Sequence, residues 1–101
     1  MKLLILTAIN AFKKDIKDIL KTANVETYSY KDVTGFRDAS ELSIKDNWFS
    51  NDMNEGEAIV FYAFVKKENV DLVFDMVNGF NDKQETLSTI HVAVLNIERT
   101  I

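Results

Sequence analysis

The chain has 101 residues, which is enough for one domain with one hydrophobic core. Hydrophobic residues make up 47% of it, and seven Phe are too many apolar anchors for an unfolded chain. Cysteine is absent, which excludes disulfides, thiolate metal sites and cysteine nucleophiles, while a net charge of −4 disfavours nucleic acid as a partner. No apolar run is long enough to cross a membrane, and the one at the start is too short for a signal peptide. We therefore expect a single cytoplasmic domain over residues 1–101, with no direct membrane insertion.

The hydrophobic pattern of the first half predicts a strand, a helix and a second strand. Residues 3–9 are apolar almost throughout, as in a strand that is buried on both faces. Apolar residues at helical spacing then predict an amphipathic helix from Asn10, as its N-cap, to Asn24, as a left-handed stop. Residues 25–33 predict a strand with one wetter face, after which Gly35 is expected to permit a turn.

The second half predicts a strand, a helix and a final strand. Residues 58–65 form the strongest strand signal of the chain, and residues 90–97 form the last one. Between them an apolar stripe from Val70 to Phe80 predicts a helix that frays near Gly79. The order β-α-β-β-α-β is the ferredoxin-like arrangement of the α+β class, in which two helices cover one face of a four-stranded antiparallel sheet.

The second sheet face is predicted to be apolar as well. Two helices cover only one face, yet alternation places Leu3, Ile5, Tyr62 and Leu95 on the other. A second copy of the chain is the simplest cover for such a surface, and an unusually apolar monomer is the alternative.

A long loop is predicted between the second and third strands, over residues 37–57, because no hydrophobic period is sustained there. Arg37 and Asp38 open this loop, and Trp48 and Phe49 form an aromatic pair within it that could anchor a partner protein. The alternative is that both rings fold back onto their own or a neighbouring subunit. The acidic excess of the loop could attract a cation or a basic partner, or could simply be solvated.

Val33, Gly35 and Phe36, which end the second strand just before the long loop, resemble the Val-x-Gly-Phe motif of the PII signalling proteins (nitrogen regulatory protein P-II). The resemblance also covers nearly the whole chain in element order and length. It implies a compact homotrimer whose sheets face the threefold axis, with a non-enzymatic, regulatory role. In that family the long loop, called the T-loop, docks onto a target that is often a membrane transporter, under the control of a nucleotide bound between subunits.

The nucleotide site of that family is matched only in part. Members that bind ATP place glycines and a Lys before the last strand and an Arg-x-Arg pair after it. Here residues 81–89 contain Lys83 but no glycine, and Arg99 is the only arginine near the end. Because phosphates need close backbone approach and fixed positive charge, we expect ATP or ADP to bind weakly or not at all. The remaining candidate effector contacts are Gly35, Phe36, Lys83 and Arg99.

Two alternatives to a PII-like regulator stay open. The short, arginine-poor ending is similar to the truncated PII-like proteins found with heavy-metal efflux pumps, so the chain could sense a cation. His91, the only histidine, is the candidate metal ligand, although a mostly buried, hydrogen-bonded histidine is the expectation for that strand position. A small ferredoxin-like enzyme is the other alternative, but the sequence offers no triad and no paired carboxylates, so we predict no catalytic residue.

Overall fold

The computed structural model describes residues 1–36 and 55–101, without the side chain of Glu55. These residues form four strands and two helices, which are β1 (Lys2–Ile9), α1 (Lys13–Thr22), β2 (Ser29–Phe36), β3 (Glu55–Val65), α2 (Lys67–Lys83) and β4 (His91–Asn96). The strands make one antiparallel sheet in the spatial order β2-β3-β1-β4. The predicted α+β, ferredoxin-like fold is therefore confirmed.

The core lies between the two helices and one face of the sheet. Alternate residues of the central strands point into it, among them Leu4, Leu6 and Phe61, which are fully buried. The helices contribute residues at i, i+4 spacing, so that Ile16 and Leu20 of α1 form part of the same cluster. Burying a side chain of this size stabilises the fold by roughly 1.5–3 kcal/mol, which makes this layer the main source of stability.

The sequence prediction is correct at the C-terminal end of α1 and wrong at its N-terminal end. Asn24 has a φ of 63°, so the predicted left-handed stop is confirmed. The predicted N-cap at Asn10 is wrong, because Asn10–Phe12 form a 3₁₀ turn that has no side-chain cap and leads directly into α1. The backbone N–H of Lys13 instead donates to the carbonyl of Asn10.

Strand pairing moves the boundaries of β2 and β3. Gly35 lies opposite Gly56 in the ladder, and no glycine of the described residues has a positive φ, so the predicted turn at Gly35 is wrong. Residues 55–57 belong to β3 rather than to the predicted loop. Backbone hydrogen bonds between β2 and β3 lengthen both strands, and hydrophobic periodicity cannot predict such pairing. The rest of the predicted loop, residues 37–54, lies outside the described residues.

The second helix continues past its predicted end at Gly79. Phe80, one residue further on, packs edge-to-face against Phe12 with the ring centroids 4.9 Å apart. Asn81 bonds to the backbone of Ile90 just before β4. These tertiary contacts hold the last turn of α2, whose sequence alone suggests fraying because glycine disfavours the helix by about 1 kcal/mol.

Candidate functional site

The sheet face that points away from the helices is the first candidate site, and we call it the open face. It is a grid of cross-strand neighbours from three strands. In the row nearest the start of β1, Leu3 lies between Phe64 and Leu95, and in the next row Ile5 lies between Tyr62 and Ala93. The third row places Thr7 between two residues of the neighbouring strands, which are Val60 and His91.

The open face is apolar and partly exposed, as the sequence predicts. Phe64 is 61% exposed, Tyr62 is 44% exposed and Leu95 is 43% exposed, while Leu3 and Ile5 are half-buried. A sheet face that meets water normally alternates towards polar residues, so this surface has the character of an interface. The hydroxyl of Thr7 is buried here and has no hydrogen-bond partner within the described part of the chain.

The end of β2 is the second candidate site, because segment 37–54 starts there. Gly35 lies opposite Gly56 and Phe36 lies opposite Glu55, so one residue pair of the ladder carries no side chains. Phe36 is 66% exposed. A groove of about 520 Å³ lies alongside, with Thr34 and residues of β3 among its lining residues.

The four predicted effector contacts do not come together within one chain. Gly35 and Phe36 lie at the sheet end where β3 starts. Lys83 ends α2 and lines a groove between the helices together with Asp15 and other residues of α1. Arg99 follows β4, whose last residues pair with the start of β1 at the other end of the sheet. A common site for all four residues therefore requires more than one chain.

The turn before β4 is held by its own polar side chains. The side chain of Gln84 accepts a hydrogen bond from the backbone N–H of Thr86 at 2.8 Å and donates one to the carbonyl of Thr86 at 2.8 Å. The amide of Gln84 also donates to the carbonyl of Ser88. Asn81 closes the turn, because its amide donates to the carbonyl of Ile90 at 2.9 Å and accepts from the N–H of Ile90 at 2.8 Å. The backbone N–H groups of Thr86 and Ile90 are therefore already bonded to side chains of the turn and are not free to receive a phosphate.

His91 is exposed in the single chain, where it lies on the open face opposite Thr7. Its strand, β4, is at an edge of the sheet, and none of the described elements covers the first residue of that strand. The expectation of a mostly buried histidine stays a prediction for the assembled protein. Among residues 1–36 and 55–101, no three His, Asp or Glu side chains are grouped closely enough to hold a metal ion. A metal role for His91 stays a prediction that needs ligands from another chain. The predicted partner-binding residues Arg37, Asp38, Trp48 and Phe49 all lie outside the described residues.

Sequence reasoning missed a cluster on the helix side of the sheet, which we call the Tyr30 cluster and define as Tyr30, Lys13, Lys17 and Asp32. The ammonium of Lys17 donates a hydrogen bond to the phenol oxygen of Tyr30 at 3.1 Å. That bond, together with the charges of Lys17 and Lys13, lowers the pKa of the Tyr30 phenol from its ordinary value of 10.0. The i, i+4 spacing of the two lysines was visible in the sequence, but only the packing of α1 beside β2 places them over a tyrosine.

Comparison with known proteins agrees with this fold. No protein-family model and no curated protein matches the chain. Among solved structures, the chain is similar to CPII from Thiomonas intermedia K12, a nitrogen regulatory PII-like protein bound to ADP, AMP and bicarbonate. The two superpose with a TM-score of 0.63 at 19% identity, and the match covers 99% of this chain and 94% of CPII. A DUF3240-family protein from Shewanella baltica OS155 superposes with a TM-score of 0.66 at 16% identity, over 98% and 91%.

These likenesses confirm the resemblance to PII-like proteins at the level of the fold. Both comparisons cover nearly the whole of each chain, so the likeness concerns the fold as a whole and not one part of it. None of the described helices has the length and apolar character needed to cross a membrane.

Proposed function

We propose that the chain is a non-enzymatic, PII-like regulatory protein. In this proposal it assembles as a homotrimer through the open face and presents segment 37–54 to a partner, a membrane transport protein. The observation that carries the proposal is the apolar open face, since the two helices of the described residues cover the other side of the sheet and leave this face exposed. The resemblance to the PII family, which implies a homotrimer, supports the trimer as the form in which the face is covered.

The energetics of the open face favour its burial. Phe64, Tyr62 and Leu95 each retain a large exposed fraction in the single chain. Completing the burial of side chains of this size contributes about 1–2 kcal/mol each, because complete burial of one contributes roughly 1.5–3 kcal/mol. A neighbouring chain could also supply the hydrogen-bond partner that Thr7 lacks among the described residues, and an unmet buried hydroxyl costs about 1–3 kcal/mol.

The end of β2 supports the proposed docking of segment 37–54. Phe36, the last described residue before that segment, is largely exposed, so an apolar surface already begins on the strand. Trp48 and Phe49 lie within the segment and are the residues that we propose as anchors, because aromatic side chains are enriched among binding hot spots. In this proposal Arg37 and Asp38 belong to the polar rim of the interface with the partner.

We propose that nucleotide control differs from that of the ATP-binding members of the PII family. CPII was solved with ADP and AMP, and its fold likeness makes a nucleotide a reasonable effector to test. The turn after α2, however, uses Gln84 and Asn81 to bond its own backbone. A phosphate chain that bonds to the N–H of Thr86 or Ile90 would have to displace those side chains, whereas a flat or less charged effector could still approach the paired glycines at Gly35.

A matched pair of substitutions tests the trimer. Leu95 on the open face and Leu72 on α2 are equally exposed, at 43% and 42%. We expect Leu95→Glu to convert the trimer to monomers at micromolar concentration, because it places a carboxylate in a buried apolar contact. Leu72→Glu adds the same charge on the opposite side of the molecule and should leave the trimer intact. Size-exclusion chromatography with light scattering gives the mass of each variant.

Two results would count against the proposal. A wild-type chain that is monomeric at micromolar concentration contradicts the use of the open face. If Leu72→Glu dissociates the oligomer and Leu95→Glu does not, the interface lies on the helices instead. Circular dichroism on both variants separates dissociation from unfolding.

A further inference from the structure

The Tyr30 cluster has no part in the function proposed above. Tyr30 lies opposite Phe61 in the sheet, and Phe61 is buried under the helices, so the cluster is on the other side of the sheet from the open face. Tyr30 is nevertheless 43% exposed because β2 is an edge strand. Assembly through the open face would leave it accessible to another enzyme.

Two ammonium groups converge on the phenol of Tyr30. The Nζ atom of Lys17 lies 4.5 Å from the ring centroid and that of Lys13 lies 4.9 Å from it, in addition to the hydrogen bond from Lys17. The two lysines are one turn apart on α1 and therefore share a face of the helix. Asp32 on β2 lies 4.0 Å from Lys13 and is the one carboxylate of the described residues that acts on the phenol, so the charge that these residues place around the phenol is positive on balance.

The ring itself is fixed by the aromatic side chains beneath it. Its centroid lies 5.1 Å from that of Phe61, which is fully buried in β3, and 6.3 Å from that of Tyr28. Within the described part of the chain, the groups that act electrostatically on the phenol are Lys17, Lys13 and Asp32. The phenol oxygen is thus held in one direction, at the surface, beside two cations.

We propose that Tyr30 is a covalent modification site whose phenol oxygen accepts a phosphoryl group from a nucleoside triphosphate, in a reaction catalysed by a separate kinase. The phenol oxygen forms a bond to the γ-phosphorus and the bond from that phosphorus to the β–γ bridging oxygen breaks. The nucleoside diphosphate leaves with the electron pair, and the phenolic proton passes to the base of the kinase. Lys17 and Lys13 then neutralise the phosphate that the reaction leaves on Tyr30.

A phosphoryl group fits this cluster better than a free anion does. Lys17 already donates to the phenol oxygen, so the position that a free anion would occupy is taken. A phosphate monoester carries a charge of about −1.5 to −2 at pH 7, which two lysines can balance. A nucleotidyl group would form a phosphodiester with a single charge and leave one of the ammonium groups unused.

The lowered pKa of Tyr30 supports the proposal and has a definite sign. The phenol is an acid whose charged form is favoured in the folded chain, so this stabilisation is complete above the unfolded-state pKa and is lost as the pH falls through the folded-state pKa.

Acetylation by N-acetylimidazole, followed by peptide mass spectrometry, reports the ionised fraction of the Tyr30 phenol. We expect the rate profile of Tyr30 to lie at lower pH than that of N-acetyltyrosinamide, and Lys17→Met to move it to higher pH. Lys14→Met, which removes an exposed lysine of α1, is the matched control. A profile that Lys17→Met does not move would overturn the role of the lysines.

Phosphotyrosine placed at position 30 by codon suppression tests the charge balance. The phosphorylated chain should unfold at a urea concentration at least as high as the unmodified chain in low salt. In 1 M salt, where the screening length is about 3 Å, the phosphorylated chain should instead unfold at a lower urea concentration than the unmodified chain. The same result is expected in low salt for the double variant Lys13→Met with Lys17→Met. A phosphorylated chain that is less stable in low salt would show that the cluster does not accommodate the group.

The decisive measurement is mass spectrometry of the protein isolated from its native host in growth and in starvation. A phosphate-sized increment on the peptide that contains Tyr30 supports the proposal. An unmodified Tyr30 in both states overturns it, and a nucleotide-sized increment overturns the choice of a phosphoryl group. None of these outcomes depends on the oligomeric state, so the function proposed above can fail or stand separately.

Discussion

Asn81 is the residue whose loss should most clearly uncouple β4 from the rest of the fold. Its side chain makes two hydrogen bonds to the backbone of Ile90, at 2.9 and 2.8 Å, across the turn that joins α2 to β4. Ile90 is 3% exposed, so water cannot replace these bonds without opening the structure. We therefore predict that Asn81→Ala destabilises the chain, although alanine favours a helix more than asparagine does.

The magnitude follows from these contacts. Two hydrogen bonds contribute about 1–3 kcal/mol together, and leaving the buried backbone groups of Ile90 unpaired moves the loss towards the upper end. The gain in helix propensity at this last turn of α2 offsets about 0.6 kcal/mol of that loss. The expected net destabilisation of Asn81→Ala is about 2 kcal/mol, or about 1 M in the urea midpoint for a chain of this size.

Asn78→Ala is the matched control, because Asn78 is exposed on the same helix and the substitution brings the same propensity gain. Urea unfolding followed by circular dichroism, at one protein concentration for all variants, should show Asn78→Ala at or slightly above the wild-type midpoint. Equal midpoints for Asn78→Ala and Asn81→Ala would refute the reasoning, since they would mean that the bonds to Ile90 contribute nothing measurable.

Three further predictions concern helix stability, nucleotide binding and docking. Gly79→Ala should raise the free energy of unfolding by about 0.5–1 kcal/mol in a urea melt, because a Cβ there meets no atom within 4 Å and alanine favours the helix; a destabilised variant would reveal a contact at that position. Calorimetry should detect little or no heat of ATP binding, since the turn at Gln84 bonds to its own backbone, and micromolar affinity would contradict this. Trp48→Ala combined with Phe49→Ala should leave the trimer and its thermal midpoint nearly unchanged and abolish co-purification with a transport partner; loss of the trimer would place both rings in the core instead.

The sequence determined the element order and the two faces of the sheet. The apolar run of β1 and the helical spacing in α1 were strong enough to predict the fold class, because periodicities of 2 and 3.6 reflect which side of each element is buried. The same alternation predicted that Tyr62 and Leu95 would lie together on an apolar second face, and the structure confirms it. The left-handed stop at Asn24 could also be predicted, since few residue types adopt that conformation.

Tertiary structure alone decided where the elements end and which polar residues meet. Pairing with β3 keeps Gly35 in an extended strand, and packing against Phe12 carries α2 beyond Gly79. The edge position of β4 leaves His91 exposed in the single chain, which alternation along a single strand could not reveal. Likewise the phenol of Tyr30 meets Lys17 only because α1 packs beside the edge strand β2. Contacts between distant residues depend on how whole elements pack, whereas a local pattern records only the burial of its own side chains.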